Sequence, residues 1–258
     1  MSSRPLVLVT GAARRVGRAI ALDLAAHGYD LAVHHRDSAD DAAETVAKAR
    51  ALGASAEAFR GDLADETACR ALVPAVLARF GQLQAVVNNA SSFEDDSAQS
   101  FGYAMMEHHA RANTGPAVLL AQALHRHAEA TKRQGCIVNL LDQKLWNMNP
   151  DHFSYTLSKA ALQAATVMLA QALAPRLRVC GVAPGITLPS GPMNEAEFAE
   201  AHRLTPLGRS STPDDIAHAV RFLIESPAIT GTTLLVDGGQ HLATQPRDVF
   251  HLVQAEGR

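Results

Sequence analysis

The chain has 258 residues, 47% of them hydrophobic, and a net charge of −3. This length suits one sizeable α/β domain or two small domains. Acidic and basic residues are interspersed and no segment approaches the length of a membrane span, so the sequence predicts neither a nucleic-acid partner nor a membrane partner. Cys69, Cys136 and Cys180 form no close pair, and the amino-terminal apolar run is too short for a secretion signal, so we expect a reduced, cytoplasmic protein.

Short apolar runs alternate with longer amphipathic ones along the chain. The predicted strands cover residues 6–9, 31–33, a run leading to Asp62, 85–87, 136–141, 179–182 and 232–236. The predicted helices cover residues 16–28, a segment opening near Ser38, one ending about Gly81, the sequence before Cys136, residues 154–174 and residues 214–224. Repeated β-α-β order with apolar strands predicts a single-domain α/β fold of the Rossmann type, with a doubly wound parallel sheet and helices on both faces.

Two segments depart from this alternation. Residues 186–194 have no clear period, and because ligands bind outside the carboxyl ends of parallel strands, we expect a substrate loop at about residues 186–204. A tail of residues 241–258 follows the last strand, and we expect it to close a neighbouring subunit's pocket. No linker or internal repeat divides the chain, so we treat residues 1–258 as one domain.

A glycine-containing turn, Thr10-Gly11-Ala12-Ala13-Arg14-Arg15-Val16-Gly17, follows the first strand. Small residues there let the backbone approach a pyrophosphate at the amino terminus of the next helix, although such a turn can also be only a tight β-α connection. Arg36 ends the second strand, where an NAD-binding chain usually has an acid. With Ser38 and Arg14 or Arg15 it predicts a site for a 2′-phosphate, and hence NADP(H), unless these arginines are only solvated surface groups.

Further motifs follow in chain order: Asp62-Leu63, Asn88-Asn89-Ala90, Asn113, Tyr155-Thr156-Leu157-Ser158-Lys159, Pro184-Gly185 and Asp237-Gly238-Gly239. In this order they resemble the short-chain dehydrogenase/reductase superfamily over essentially the whole chain. Asn113, Tyr155 and Lys159 match members of its catalytic tetrad. The motifs and the resemblance together imply cofactor contacts by Gly11, Arg14, Arg15, Val16, Gly17, Arg36, Ser38, Asp62, Leu63, Asn89, Ala90, Ser91, Tyr155, Lys159, Pro184, Gly185 and Ile186.

Three departures from the general pattern narrow the resemblance. Arg15 replaces a glycine of the first motif, Ser91 replaces the glycine after Asn89-Ala90, and Asp142 stands where the catalytic serine is usual. Together with Phe93 they are similar to the pteridine reductases and the bacterial dihydromonapterin reductases. That resemblance implies that Arg15 and Ser91 contact cofactor and pterin, that Phe93 stacks on the pterin, and that Asp142 partners the tyrosine. The implied substrate contacts are Ser91, Phe93, Asp142, Tyr155 and Leu188.

The catalytic residues also support specific physical expectations. Tyr155 and Lys159 lie four apart, on one face of a helix, where an ammonium lowers the pKa of a phenol. Asn113, if it lies nearby as in the family, would hold a water that links Lys159 to solvent. Asp142 suits a substrate with N–H donors, or it only caps the loop after its strand. Phe93 has a loop context that favours stacking over burial in the core.

The remaining expectations concern the pocket, metals and assembly. Trp146, Met148, Leu188 and Met193 are candidate apolar pocket walls. Neighbouring histidines do not converge as ligands, so no metal site is predicted. The resemblance implies a homotetramer.

The resemblance implies NADPH-dependent reduction of a dihydropterin, such as dihydromonapterin or dihydrobiopterin, to the tetrahydropterin by hydride transfer to a ring C=N bond. The alternatives are a carbonyl reductase acting on a ketone or 3-oxoacyl substrate, and a non-catalytic NADPH-sensing protein.

Overall fold

The computed structural model describes residues 4–189 and 193–249. Within these residues, seven parallel strands form one sheet in the order β3-β2-β1-β4-β5-β6-β7. The strands are β1 (Leu6–Val9), β2 (Asp30–His35), β3 (Ala56–Arg60), β4 (Ala85–Asn88), β5 (Gly135–Leu140), β6 (Leu177–Pro184) and β7 (Thr233–Val236). The chain winds outward from β1 on one side and from β4 on the other, so the crevice at the carboxyl ends of β1 and β4 is where a ligand is expected.

Helices cover both faces of this sheet. They are α1 (Arg15–Ala26), α2 (Ala39–Ala51), α3 (Glu66–Phe80), α4 (Tyr103–His109), α5 (Gly115–Thr131), α6 (Phe153–Ala172), α7 (Glu195–Arg203) and α8 (Pro213–Glu225). A π-helical turn, Ala110–Thr114, joins α4 to α5.

The alternation of side chains along β1 shows how the sheet is buried on both faces. Val7 and Val9 belong to the core that α1, α2 and α8 cover. Leu6 and Leu8 belong to the opposite core, which α3, α5 and α6 cover. All four side chains are fully buried. The prediction of a doubly wound, Rossmann-type sheet is therefore confirmed, because only a strand buried on both faces lacks an apolar–polar alternation.

The substrate segment differs from its prediction. Residues 186–204 are not one loop, because α7 occupies Glu195–Arg203 and begins with a capping box between Asn194 and Glu197. The described part of the tail lies on its own chain, where Val249 packs with Met193 and Ala201. Closure of a neighbouring subunit's pocket by the tail stays a prediction, and residues 190–192 and 250–258 of these segments lie outside the described residues. No helix in the described ranges is long and apolar enough to cross a membrane.

Candidate active site

A groove of about 700 Å³ lies at the carboxyl ends of β1 and β4. Its lining includes most of the predicted cofactor residues, namely Gly11, Arg14, Arg15, Val16, Gly17, Arg36, Ser38, Asp62, Leu63, Asn89, Ala90 and Ser91. Gly185 and Ile186 line an adjacent cavity instead. Pro184 ends β6, and Tyr155 and Lys159 are buried and are not among the residues that line either space. The volume is in the range of small-molecule and cofactor sites.

The turn between β1 and α1 leaves room for a pyrophosphate. A Cβ on Gly17 would lie 2.3 Å from the Gly11 carbonyl oxygen, and Gly11 itself has a φ of +61°. The first turn of α1 has no side-chain cap and no acidic residue, so its backbone N–H groups and dipole are open to an anion. These features fit a dinucleotide phosphate.

A buried histidine fixes the glycine turn. His34 Nδ1 accepts a hydrogen bond from the Gly11 N–H at 3.1 Å, and its Nε2 lies 3.0 Å from the Gly61 carbonyl oxygen. These partners require a neutral ring with its proton on Nε2, which donates to that carbonyl. Burial lowers the pKa of His34 to about 4, so the neutral form persists at physiological pH.

The far end of the groove carries positive charge. Arg14 and Arg36 are both exposed there, and Ser38 is half-buried beside them. Arg36 Nε donates to Asp37 Oδ2 at 2.8 Å, which leaves the rest of its guanidinium group for an anion. This arrangement fits a 2′-phosphate, for which an arginine offers charge-assisted hydrogen bonds.

Asp142 has two roles at the end of β5, one for each carboxylate oxygen. Its Oδ2 accepts a hydrogen bond from the Tyr155 hydroxyl at 2.9 Å. Its Oδ1 accepts from the Lys144 N–H at 2.9 Å and caps the short 3₁₀ helix Gln143–Trp146. Asp142 therefore partners the tyrosine, as the resemblance implies, and also caps the segment after its strand, whereas its contact with a substrate stays a prediction.

The pKa directions at this pair correct one expectation. Burial and the Asp142 charge raise the pKa of Tyr155 well above 10, so the expected lowering by Lys159 is wrong. Burial lowers the pKa of Lys159 to about 8, against the opposite pull of Asp142. Lys159 Nζ donates to the Leu140 carbonyl at 2.8 Å and lies 5.7 Å from the Tyr155 ring centre. Burial likewise raises the pKa of Asp142, and the tyrosine is the neutral partner of the pair.

Asn113 lies on the π-helical turn and holds the loop after β4. Its Oδ1 accepts from the Ser92 N–H at 2.7 Å and from the Ser91 hydroxyl at 3.1 Å. Its Nδ2 donates to the Ser92 carbonyl and to the Ser158 hydroxyl. Asn113 thereby ties the loop after β4 to α6, and its holding of a water that links Lys159 to solvent stays a prediction.

Phe93 is a surface ring beside the tyrosine. It is 50% exposed, its centre lies 4.6 Å from that of Tyr155 with the rings edge to face, and it contacts His152 at 4.4 Å. Phe93 lines both the cofactor groove and the adjacent cavity, as does Arg15. Half of its surface is thus exposed where the two spaces meet.

The adjacent cavity, of about 230 Å³, is the candidate substrate cavity. Its lining consists of Arg15, Val16, Phe93, Asp142, Gln143, Asn147, Asn149, Gly185, Ile186, Thr187, Leu188, Gln240, Gln245, Asp248 and Val249. Leu188 thus lies where the sequence predicts, whereas Trp146 and Met148 are exposed outside the cavity, and Met193 packs in the small core beneath the tail.

Several lining residues are not among the sequence predictions. Asn147 and Asn149 lie in irregular backbone after the 3₁₀ helix Gln143–Trp146, and no repeat in the sequence marks them as lining residues. Gln245 and Asp248 come from the tail, whose sequence has no periodic signal. In the described part of the chain, no cluster of His, Cys, Asp or Glu could hold a metal ion.

Sequence comparison places the chain among known proteins. The profile of the family described as enoyl-(acyl carrier protein) reductase matches residues 11–241. A 3-oxoacyl-[acyl-carrier-protein] reductase, FabG, of Staphylococcus aureus is 32% identical over 241 residues, which are 91% of this chain and 97% of that protein. L-rhamnose 1-dehydrogenase (NAD(P)(+)) of Sphingomonas sp. is 31% identical over 248 residues, with coverages of 93% and 97%.

Two solved structures are similar along nearly the full length. FolM alternative dihydrofolate reductase 1 from Brucella suis, in complex with NADP, has a TM-score of 0.89 and 40% identity, and covers 95% of this chain and 98% of that chain. Its counterpart from Brucella canis, also with NADP, has a TM-score of 0.88 and 39% identity, with coverages of 95% and 97%. The profile match, the relatives and the glycine turn, tyrosine and lysine described above agree. The chain belongs to the short-chain dehydrogenase/reductase superfamily of NAD(P)-dependent oxidoreductases.

Proposed function

We propose that this oxidoreductase is an NADPH-dependent reductase of a dihydropterin, such as dihydromonapterin or dihydrobiopterin. The observation that carries the proposal is the hydrogen bond from the Tyr155 hydroxyl to Asp142 Oδ2, at the wall of a cavity with the Phe93 ring beside it. A carboxylate is an acceptor for the ring N–H and amino groups of a pterin, whereas a ketone oxygen needs a donor. The FolM structures, titled as alternative dihydrofolate reductases, support the same choice.

The groove supports NADPH as the cofactor. The α1 amino terminus and the glycine turn would hold the pyrophosphate, and Arg36, Ser38 and Arg14 would hold the 2′-phosphate. Both FolM structures contain NADP. When bound, NADPH supplies the hydride that reduces the ring C=N bond.

The side chains around Asp142 would supply the proton. The Tyr155 hydroxyl stays protonated at neutral pH because burial and Asp142 raise its pKa. Burial also raises the pKa of Asp142, so this carboxylate holds a proton more readily than an exposed aspartate. Proton delivery to the ring nitrogen therefore proceeds through Tyr155, Asp142 or water. Lys159, with its pKa of about 8, carries most of a positive charge at pH 7 and offsets the charge of Asp142.

The stacking and assembly proposals rest on exposed apolar side chains. Phe93 offers its open face to a flat ring at the junction of the two cavities, and Ser91 lies on the groove wall near it. Leu157 and Met168 on α6 are 43% and 67% exposed, an apolar surface that other copies in a homotetramer would cover. We also propose that the protein is cytoplasmic and that the whole chain forms one domain.

Turnover of NADPH with two candidate substrates and a blank tests the proposal. Purified enzyme is assayed with 7,8-dihydromonapterin, with a 3-oxoacyl thioester and without substrate, and Tyr155→Phe serves as the inactive control. We expect dihydropterin turnover to exceed thioester turnover, and Tyr155→Phe to bind NADPH normally but to lose most turnover.

The carbonyl reductase remains the second candidate, because the 32% identity to FabG favours it. Thioester turnover without dihydropterin turnover would establish it in place of our proposal. NADPH binding with no turnover of either substrate would instead indicate a sensor.

A further inference from the structure

Much of the lining of the substrate cavity is polar but carries little positive charge. Asn147 and Asn149 contribute amides, and the tail contributes Gln245 and the carboxylate of Asp248. Among the described lining residues, Arg15 is the only cation, and it belongs to the glycine turn at the cofactor groove. Amides and a carboxylate suit hydroxyl groups, which donate and accept hydrogen bonds. These amides and this carboxylate offer an anion no positive partner.

Asp248 contacts Asp151 and Lys144 in the described part of the chain. Its backbone N–H donates to Asp151 Oδ2 at 2.7 Å, and its own Oδ2 lies 3.5 Å from Lys144 Nζ. The Lys144 side chain is only 4% exposed, whereas that of Asp248 is 24% exposed and lines the cavity. A ligand in the cavity therefore meets the carboxylate, with the lysine behind it.

The outer side of the tail has a second anchor that does not line the cavity. Arg247 Nε donates to both carboxylate oxygens of Asp151 at 2.9 Å. The side chain of Arg247 is half-exposed, at 51%. Arg247 thus holds the tail from outside the cavity, whereas Asp248 brings a charge to the cavity itself. The two side chains can therefore be changed separately by mutation.

Asp248 and Asp142 place two carboxylates on one small cavity. The charge of Asp248 contributes to the raised pKa of both Asp142 and Tyr155, so its field reaches the catalytic pair. An anionic substituent brought into the cavity would be repelled by both acids, and like charges brought together at a binding surface are strongly unfavourable. A neutral, hydroxylated substituent would instead find acceptors and amide donors.

We propose that Asp248, presented to the substrate cavity by the tail and backed by Lys144, is a specificity-determining residue that selects a neutral, hydroxylated substituent and rejects an anionic one. This inference rests on the proposed dihydropterin reductase activity and names the class of dihydropterin that the site accepts. It favours the trihydroxypropyl chain of dihydromonapterin over the anionic glutamate of dihydrofolate.

The test compares the two dihydropterins on the full-length enzyme with NADPH. The measured quantity is the ratio of kcat/KM for dihydromonapterin to kcat/KM for dihydrofolate, in wild type, Asp248→Asn and the matched control Arg247→Gln. We expect the wild-type ratio to exceed about tenfold, and Asp248→Asn to lower it by about tenfold, mainly through a better KM for dihydrofolate. Arg247→Gln should leave the ratio unchanged, because Arg247 does not line the cavity and the bond from the Asp248 N–H to Asp151 remains to hold the tail in place.

Gln245→Glu provides a second variant that removes no ion pair and adds a carboxylate to the same wall. It should raise the ratio further, and it decides the question if Asp248→Asn does not fold. The inference is overturned if the ratio is unaffected by both charge changes, if Arg247→Gln shifts it as much as Asp248→Asn, or if the wild type prefers dihydrofolate. If the wild type reduces neither dihydropterin, the proposed function itself fails and this inference with it.

Discussion

Replacing Asp142 by asparagine removes the charge at the catalytic pair while keeping its shape. The lost interaction is the 2.9 Å hydrogen bond from the Tyr155 hydroxyl to a carboxylate. A hydrogen bond to a charged group contributes about 1.5–3 kcal/mol, which corresponds to about tenfold to 150-fold in rate if the interaction is needed in the transition state. We therefore expect Asp142→Asn and Asp142→Ser to lose dihydropterin reduction by that factor. Asparagine and serine both have a side-chain oxygen that can accept from the Lys144 N–H and cap the 3₁₀ helix, so the fold should persist.

The pH profile provides the sharper signature of Asp142. Its negative charge raises the pKa of Tyr155 and also that of Lys159, which burial alone would lower further. Without the charge, both groups lose their protons at lower pH, so the alkaline limb of kcat/KM should move to lower pH. The pKa of Asp142 is itself raised, and the acid limb that reports its protonation should disappear in Asp142→Asn.

The assay is kcat/KM against pH with NADPH and a dihydropterin for wild type and the two variants, with NADPH affinity and thermal unfolding as controls. Asp142→Ser restores the hydroxyl of the general superfamily pattern and should gain weak ketone reduction. Wild-type rates and profiles in both variants would show that Asp142 only caps the 3₁₀ helix. The carbonyl reductase would then be the better explanation of the site.

Three further predictions concern the cofactor, the stacking ring and stability. Arg36→Asp should reverse a preference for NADPH over NADH of about tenfold to a hundredfold, and equal kcat/KM for the two cofactors in the wild type would refute the phosphate site. Phe93→Ala should raise the dihydropterin KM several-fold to about tenfold with unchanged NADPH affinity, whereas a loss of thermal stability without a KM change would mark a core residue. His34 has a pKa of about 4 when folded and about 6.5 when unfolded, so only the unfolded chain binds its proton between these values. Denaturant unfolding should therefore show stability falling from pH 6.5 to pH 4, by about 3 kcal/mol for this group, and a pH dependence in His34→Asn equal to that of wild type would contradict this.

The fold is largely accessible from the sequence because the strands of a doubly wound sheet are short, apolar and regularly spaced. The predicted last strand, residues 232–236, differs from the observed Thr233–Val236 by one residue. The substrate segment was less accessible. The capping box that begins α7 is present as Asn194 and Glu197, but the helix it opens is short and mainly polar, with Ala201 as its one buried residue.

The site residues on regular β-α turns were predictable from the sequence, whereas those on irregular backbone were not. Residues on the turns that carry the motifs line the groove as predicted, because each β-α turn lies at the carboxyl edge of the sheet, where the groove forms. Contributions from irregular backbone, such as Asn147 and Asp248, depend on how those segments fold back over the cavity. The direction of the Tyr155 pKa shift could not be predicted for a related reason. Spacing places Lys159 beside Tyr155, but burial, which spacing does not reveal, decides the direction of the tyrosine pKa.

Arg15 is a departure from the superfamily pattern that lies where the cofactor groove meets the substrate cavity. It stands where glycine is usual and has a φ of 55°, a left-handed conformation that costs a residue with a side chain about 1–2 kcal/mol. In return its guanidinium lines both the cofactor groove and the substrate cavity, and Nη2 donates to the Pro189 carbonyl of the substrate segment at 2.9 Å. Phe93 lines the same two spaces, and Asp142 lines the substrate cavity beside them. A strained backbone persists where the surrounding structure or the function maintains it. The strained Arg15, the acid Asp142 and the exposed Phe93 ring therefore meet where the proposed dihydropterin would bind, which supports that proposal.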